Sequence, residues 1–121
     1  MKNYRRKLGE WGETLAQQYL LQKGYNIRDR HWQKREGEID IIAFDQSSSC
    51  LVFIEVKTRT SKSYGTPEES ITSQKKRKLE AAISLYIIES GYQGDYRFDV
   101  IIIQKSGRKT TLKHLKNASL E

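Results

Sequence analysis

Apolar positions recur along this chain with two different periods. From Tyr4 to Lys23, residues Leu8, Trp11, Leu15 and Tyr19 fall three or four apart, the spacing of one helix face, and Gly24 offers a C-terminal stop. Gly9 and Gly12 lie inside that helix, where each costs about 1 kcal/mol relative to alanine, so close packing against another backbone is expected. "YNIRDRHW" reads as a short strand. Residues 37–44 and 51–58 then predict a β-hairpin around the turn "DQSSSC". "YGTPEESITSQ", with Gly65 and Pro67, reads as a loop. Thr72 or Ser73 can cap a second helix running to about Ser90, with Ile71, Leu79, Ala82, Ile83 and Tyr86 on its inner side and Gly91 closing it. "YRFDVIIIQ" is a strand whose unbroken run Val100–Ile103 predicts burial on both faces. "GRKTTLKHL" adds a last edge strand.

The order is therefore helix, three strands, helix, and one or two strands. A strand, helix and strand at 51–58, 72–90 and 96–103 predict parallel pairing, whereas the earlier hairpin is antiparallel. The expected fold is α/β: a single domain over 1–121 with a mixed central sheet flanked by helices.

Composition narrows the class. A chain of 121 residues, 36% hydrophobic and 31% charged, suits one globular domain and is too apolar for disorder. No apolar run approaches the roughly 20 residues that span a bilayer, and "MKNYRRKLGEW" lacks the apolar stretch of a signal peptide. Cys50 is the single cysteine, which leaves no internal disulfide, and two histidines with no C-x-x-C argue against a structural zinc site. A cytoplasmic protein is expected.

The net charge is +7 and the cations cluster. Arg5, Arg6 and Lys7 form one group, Lys75, Lys76, Arg77 and Lys78 a second, and Lys105, Arg108, Lys109, Lys113 and Lys116 a third. Such clusters bind phosphate backbones through counterion release, although a solvated basic face has the same composition. Nucleic acid, DNA in the first place, is the expected partner, with no membrane partner.

The hairpin carries charge where its neighbours are apolar. If it closes with Phe44 opposite Leu51, then Asp40 faces Glu55 and Glu38 faces Lys57. Alternation puts Ile39, Ile41, Ala43, Val52, Ile54 and Val56 on one apolar face. Ile42, Phe44, Leu51 and Phe53 occupy the other near the turn, with Glu38, Asp40, Glu55 and Lys57 at its open end. Directly opposed Cβ atoms lie about 4.5–5.5 Å apart, so two carboxylates there call for a bound cation, a shared proton or an adjacent ammonium. Mg²⁺ or Mn²⁺ suits such oxygen ligands, and Lys57 can position water or neutralise developing phosphate charge. The plainer alternative is a pair of surface ion pairs, Glu38–Lys57 and Glu55–Arg59. Trp11 reads as core, and Asp99 as a partner of Arg97.

An aspartate in "EIDIIAFD" followed by Glu-x-Lys in "VFIEVKTR" resembles the active-site signature of the PD-(D/E)xK nuclease superfamily. The closer resemblance is to the small YraN-like family of bacterial proteins, which look related to archaeal Holliday-junction resolvases. It covers almost the whole chain, through "GEWGETLAQQYLLQKGY", "GEIDIIAFD", "LVFIEVKTRTSKSYGTPEES", "KKRKLEAAISLY" and "RFDVIII". The resemblance implies a restriction-endonuclease-like domain and metal-dependent cleavage of DNA, branched or damaged DNA being candidate substrates. It implies Asp40 and Glu55 as metal-binding acids, Lys57 as the catalytic lysine, and Glu13 as a helix glutamate joining them, with Glu10 the weaker alternative. Ile39 stands where the superfamily has its proline, and "DQSSSC" is longer than the usual turn. A homodimer is a further expectation by resemblance. A nucleic-acid-binding module without turnover is the alternative on the same fold.

Overall fold

A computed structural model of the protein describes residues 2–60 and 72–120. The elements run α1 (Lys2–Gln22), β1 (Tyr25–Lys34), β2 (Gly37–Asp45), β3 (Cys50–Thr60), α2 (Ser73–Ser90), β4 (Asp95–Ser106) and β5 (Lys109–Leu115). They match the order expected from the sequence, with β1, β3 and β4 extended by a few residues. Most of the expected loop before α2, and Ile71 with it, lies outside the described residues.

Local chemistry sets the element ends. The Thr72 hydroxyl accepts the Lys75 N–H at 3.2 Å and caps α2, satisfying one of the donors that every helix N-terminus leaves free. Gly91 ends α2 at φ 70°, and its N–H bonds the Ile87 carbonyl. This left-handed geometry favours glycine. Gly12 answers to a different constraint, because a Cβ there would collide with the Thr58 hydroxyl of β3. The expected close approach is real at this position, but it is to a side chain and not to a backbone.

The five strands lie in the order β1-β2-β3-β4-β5, and only β3 and β4 run parallel. Each face of the sheet carries its own core. Ile41, Ala43, Val52, Ile54, Ile101 and Ile103 pack with Ala16 and Leu20 of α1. Ile42, Leu51, Phe53, Val100 and Ile102 pack with Leu79, Ala82 and Ile83 of α2. Val100–Ile103 thus feeds both cores in turn, which explains its unbroken hydrophobicity.

Ile39 departs from the expected alternation: it packs in the α2 core, not with Ile41. The cause is an irregularity at His31 and Asp40, separate from the one-residue shift in β1–β2 pairing near the start of β1. The register shifts after Ile27, His31 adopts φ 52°, and neither His31 nor Asp40 has a partner in the ladder. The Phe44–Leu51 register of the hairpin holds, but the ladder stops at Ile41–Ile54 although both strands continue. The expected Glu38–Lys57 pairing is therefore absent. Glu38 faces Gln33 of β1 and accepts its amide N–H at 3.2 Å.

The other end of the sheet is held by Arg97. Its five N–H donors are all engaged: Nε and one Nη2 proton by Asp99 at 3.0 and 3.2 Å, the other Nη2 proton by the Tyr25 hydroxyl at 2.8 Å, and Nη1 by Asp45 and the Ser48 hydroxyl at 3.1 and 3.0 Å. Asp99 also accepts the Asn117 N–H at 2.9 Å and faces His114 Nε2 at 2.7 Å. Because an ionised Asp99 only accepts, His114 Nε2 carries the proton, and Nδ1 is free to meet the Tyr19 hydroxyl of α1 at 2.9 Å. Burial raises the Asp99 pKa, but His114, Arg97 and the Asn117 N–H outweigh it and hold the carboxyl below its usual range. Asp45 is likewise depressed: Ser47, Ser48 and Arg97 outweigh its burial.

Removing Arg97 would leave two buried carboxylates without their cation. Arg97→Ala should destabilise the protein by about 3–5 kcal/mol at pH 7 in urea unfolding. Asp45 and Asp99 have depressed folded pKa values, so their stabilisation is present above the ordinary aspartate pKa of about 4 and is lost as pH falls below it. The wild type should weaken steeply below pH 4, and Arg97→Ala should show a flatter acid limb.

Candidate active site

Where the β2–β3 ladder ends, the Val56 N–H loses its strand partner and is accepted by the Asp40 side chain at 2.8 Å. That bond fixes Asp40 beside Glu55, within hydrogen-bonding reach of its carboxylate. Strand alternation turns Glu55 and Lys57 towards the α2 face. Lys57 Nζ stands 3.4 Å from Glu55 Oε2, and Lys75 Nζ of α2 stands 2.5 Å from the same oxygen. Glu13 reaches the group from α1, where it faces His31 Nε2 at 2.9 Å and senses the charges of Glu38 and Glu55. Parting of the two strands thus lets a carboxylate from one helix layer and an ammonium from the other approach the same point.

Of the two acids weighed on α1, Glu13 is the one that joins. Glu10 is exposed and pairs with Arg6 at 3.2 Å. The basic residues divide similarly. Lys75 is engaged with Glu55 and is part of the site. Arg77 and Lys78 are exposed on the first turns of α2, and Lys76 is half-buried there. Arg5 and Lys7 are exposed on α1, while Arg6 is held by Glu10. Neither alternative surface pair forms: Glu55 pairs with the two lysines, and Arg59 donates to the Thr58 carbonyl at 3.4 Å. His31 and the engagement of Lys75 were not legible in the sequence. His31 is brought in by the irregularity it shares with Asp40 in the β1–β2 pairing, and Lys75 by the packing of α2 on the sheet.

Electrostatics follow from burial. Glu55 is 2% exposed. Burial raises the Asp40 pKa to about 9, helped by the hydrogen bond and charge of Glu55, with the Val56 N–H opposing. For Glu55 the same burial is outweighed by Asp40, Lys75 and Lys57, which hold it below the usual glutamate range. Asp40 therefore carries the proton of the pair and Glu55 the charge. Burial lowers the Lys57 pKa, and the neighbouring Lys75 lowers it further. Burial raises that of Glu13, against His31 and Arg30. Of the three ways to compensate opposed carboxylates, this site uses two at once: a proton and an ammonium.

Two oxygens remain under-used. Glu13 Oε1 and Glu55 Oε2 are buried and accept no aligned hydrogen bond. Their contacts to His31 and Lys75 satisfy them by charge and distance but not by direction. Oxygens of this kind suit a hard divalent cation, which takes one or two carboxylates and completes its shell with water and phosphate. Among the described residues, no three His, Cys, Asp or Glu side chains converge as a closed ligand cage. The donor set fits an open site of few protein ligands. The folded pKa of Asp40 is raised, so its contribution to stability is present at low pH and is lost as pH rises towards 9. Asp40→Asn should stabilise the metal-free protein by about 1–3 kcal/mol at pH 8 and have little effect at pH 4, read by urea unfolding at both values.

Comparison with known proteins gives the family. The model of the uncharacterised protein family UPF0102 matches residues 12–103, a span that includes Glu13, Asp40, Glu55, Lys57 and Lys75. A UPF0102 protein of Herpetosiphon aurantiacus is 39% identical over 126 residues, with 100% of both chains covered. One from Carboxydothermus hydrogenoformans is 45% identical over 93% of this chain and 95% of its own, and one from Desulfosudis oleivorans 42% over 98% and 94%. The YraN-like resemblance seen in the sequence holds at this level, and the chain belongs to the UPF0102 family.

Proposed function

We propose that the protein is a Mg²⁺- or Mn²⁺-dependent endonuclease of the PD-(D/E)xK type that hydrolyses phosphodiester bonds in DNA, with branched or damaged DNA as candidate substrates. One observation carries this reading: Glu13, Asp40, Glu55 and Lys57 gather from three elements, and two of their buried oxygens lack an aligned donor. Asp40 and Glu55 would hold the cation, with Glu13 beside them. The cation, when bound, supplies a more acidic water and neutralises phosphate charge. Lys57 orients the attacking water and stabilises charge as the new P–O bond forms and the ester bond to the leaving oxygen breaks. Burial, which lowers its pKa, also frees it from a full shell of water. Lys75 occupies Glu55 in the metal-free protein and would transfer to the substrate phosphate.

A second reading also has an observation behind it. The proton on Asp40 and the ammonium of Lys75 already balance Glu55, so the fold is electrostatically complete without metal. A basic module that binds nucleic acid without cutting it would need no more.

Single-turnover cleavage of a branched DNA with Mn²⁺, beside calorimetric metal binding, separates the two. Asp40→Ala should lose metal affinity and cleavage together. Lys57→Ala should keep metal and DNA binding and lose about 10²–10³ in rate, as expected when one transition-state contact is removed. Equal trace activity in wild type and Lys57→Ala would favour the binding module. Lys75→Met should leave Glu55 with only Lys57 and the Asp40 proton to compensate it, so Mn²⁺ should raise its melting temperature more than that of the wild type. An equal or smaller shift would mean that Lys75 and the cation do not compete for Glu55.

A further inference from the structure

Between the first turns of α1 and the end of β3 lies a cleft of about 590 Å³, most of whose lining the proposed hydrolysis does not use. Tyr4, Arg5 and Gly9 line it from α1 and Arg59 from β3, and Glu13 and Lys57 line it too, so the cleft is continuous with the site. Three cations against one carboxylate give it a positive balance.

Two features point to more than a simple anion. Tyr4 is 61% exposed and belongs to neither core, and among the described residues it stacks on no other ring. Gly9 is the second. Unlike Gly12, it has no reason in the packing of the described residues, because a Cβ there would meet none of their atoms within 4 Å. A helix-weakening residue thus keeps a stretch of α1 bare on the cleft wall. Arginines hold phosphates, an exposed ring stacks on a base, and bare backbone admits a sugar.

We propose that this cleft is a nucleotide subsite that takes an unpaired nucleotide of the strand being cut. Tyr4 stacks on its base, Arg5 and Arg59 pair with its phosphates, and the wall at Gly9 makes room for its sugar. The nucleotide must be unpaired because the ring needs an open base face, which stacking covers inside a duplex. The identity of the strand as substrate rests on the function proposed above.

The test is fluorescence anisotropy of the intact chain without divalent metal, comparing a labelled single-stranded oligonucleotide with the blunt duplex of the same sequence. Tyr4→Ala should weaken single-strand binding on the order of tenfold and leave duplex binding nearly unchanged. Gly9→Leu should raise the melting temperature and yet weaken single-strand binding, a combination that general loss of structure cannot produce. Arg59→Gln should reduce the salt slope for the single strand by about 0.7. Loss of single-strand binding in these variants supports the subsite even if Lys57→Ala leaves cleavage unchanged, the result that would remove the nuclease reading. Wild-type single-strand affinity in both Tyr4→Ala and Gly9→Leu overturns the subsite even if Lys57→Ala abolishes cleavage.

Discussion

The Val56 N–H sits just past the point where β2 and β3 stop pairing, and a buried donor without an acceptor costs about 1–3 kcal/mol. Asp40 supplies the acceptor from its side chain. That one bond brings a carboxylate against Glu55, and the rest of the site follows from it. Two acids in a desolvated place cannot both ionise unless positive charge comes with them. The proton on Asp40 and the ammonium groups of Lys75 and Lys57 meet that condition. The helices are tied to the sheet beside that point, α2 through Lys75 on Glu55 and α1 through Glu13 on His31.

The three buried acids among the described residues are treated differently. Asp45 and Asp99 each receive four contacts from hydroxyls, backbone N–H groups, His114 or Arg97. That fills the acceptor capacity of a carboxylate. Both belong to a network that closes the sheet end and pins β5 to α1 through His114 and Tyr19. Glu55 is as deeply buried, yet one of its oxygens has no aligned donor. Full satisfaction is what structural carboxylates achieve, and the residual acceptor capacity at Glu55 and Glu13 is what supports the metal site proposed above. The same contrast separates Gly12, whose missing Cβ makes room for Thr58, from Gly9, whose missing Cβ makes room for nothing among the described residues.

Much of this was legible from the residues. Helical spacing and Gly24 gave α1, Thr72 and Gly91 bounded α2, and the apolar run Val100–Ile103 identified a strand buried on both faces. These are local or periodic signals, and chain chemistry within a few residues enforces them. The acids inside apolar strands were equally plain, because charge in such surroundings has few explanations. The symmetric register also placed Asp40 level with Glu55, although the ladder that register assumed does not extend so far.

What the sequence could not decide depends on relations between distant segments. An irregularity where His31 and Asp40 both drop out of the β1–β2 ladder turns Ile39 to the α2 core, with His31 in a left-handed conformation, at the level where β2 and β3 cease to pair, and no local pattern announces it. Lys75 looks like any member of a basic cluster until helix packing sets its ammonium on Glu55. Which glutamate of α1 faces inward was likewise settled by how the helix packs on the sheet, with Gly12 against Thr58. The sequence alone determined which residue types the protein would bring to the open end of its hairpin. Only the tertiary structure decided their partners and protonation, because both depend on burial and charge contributed by elements tens of residues away.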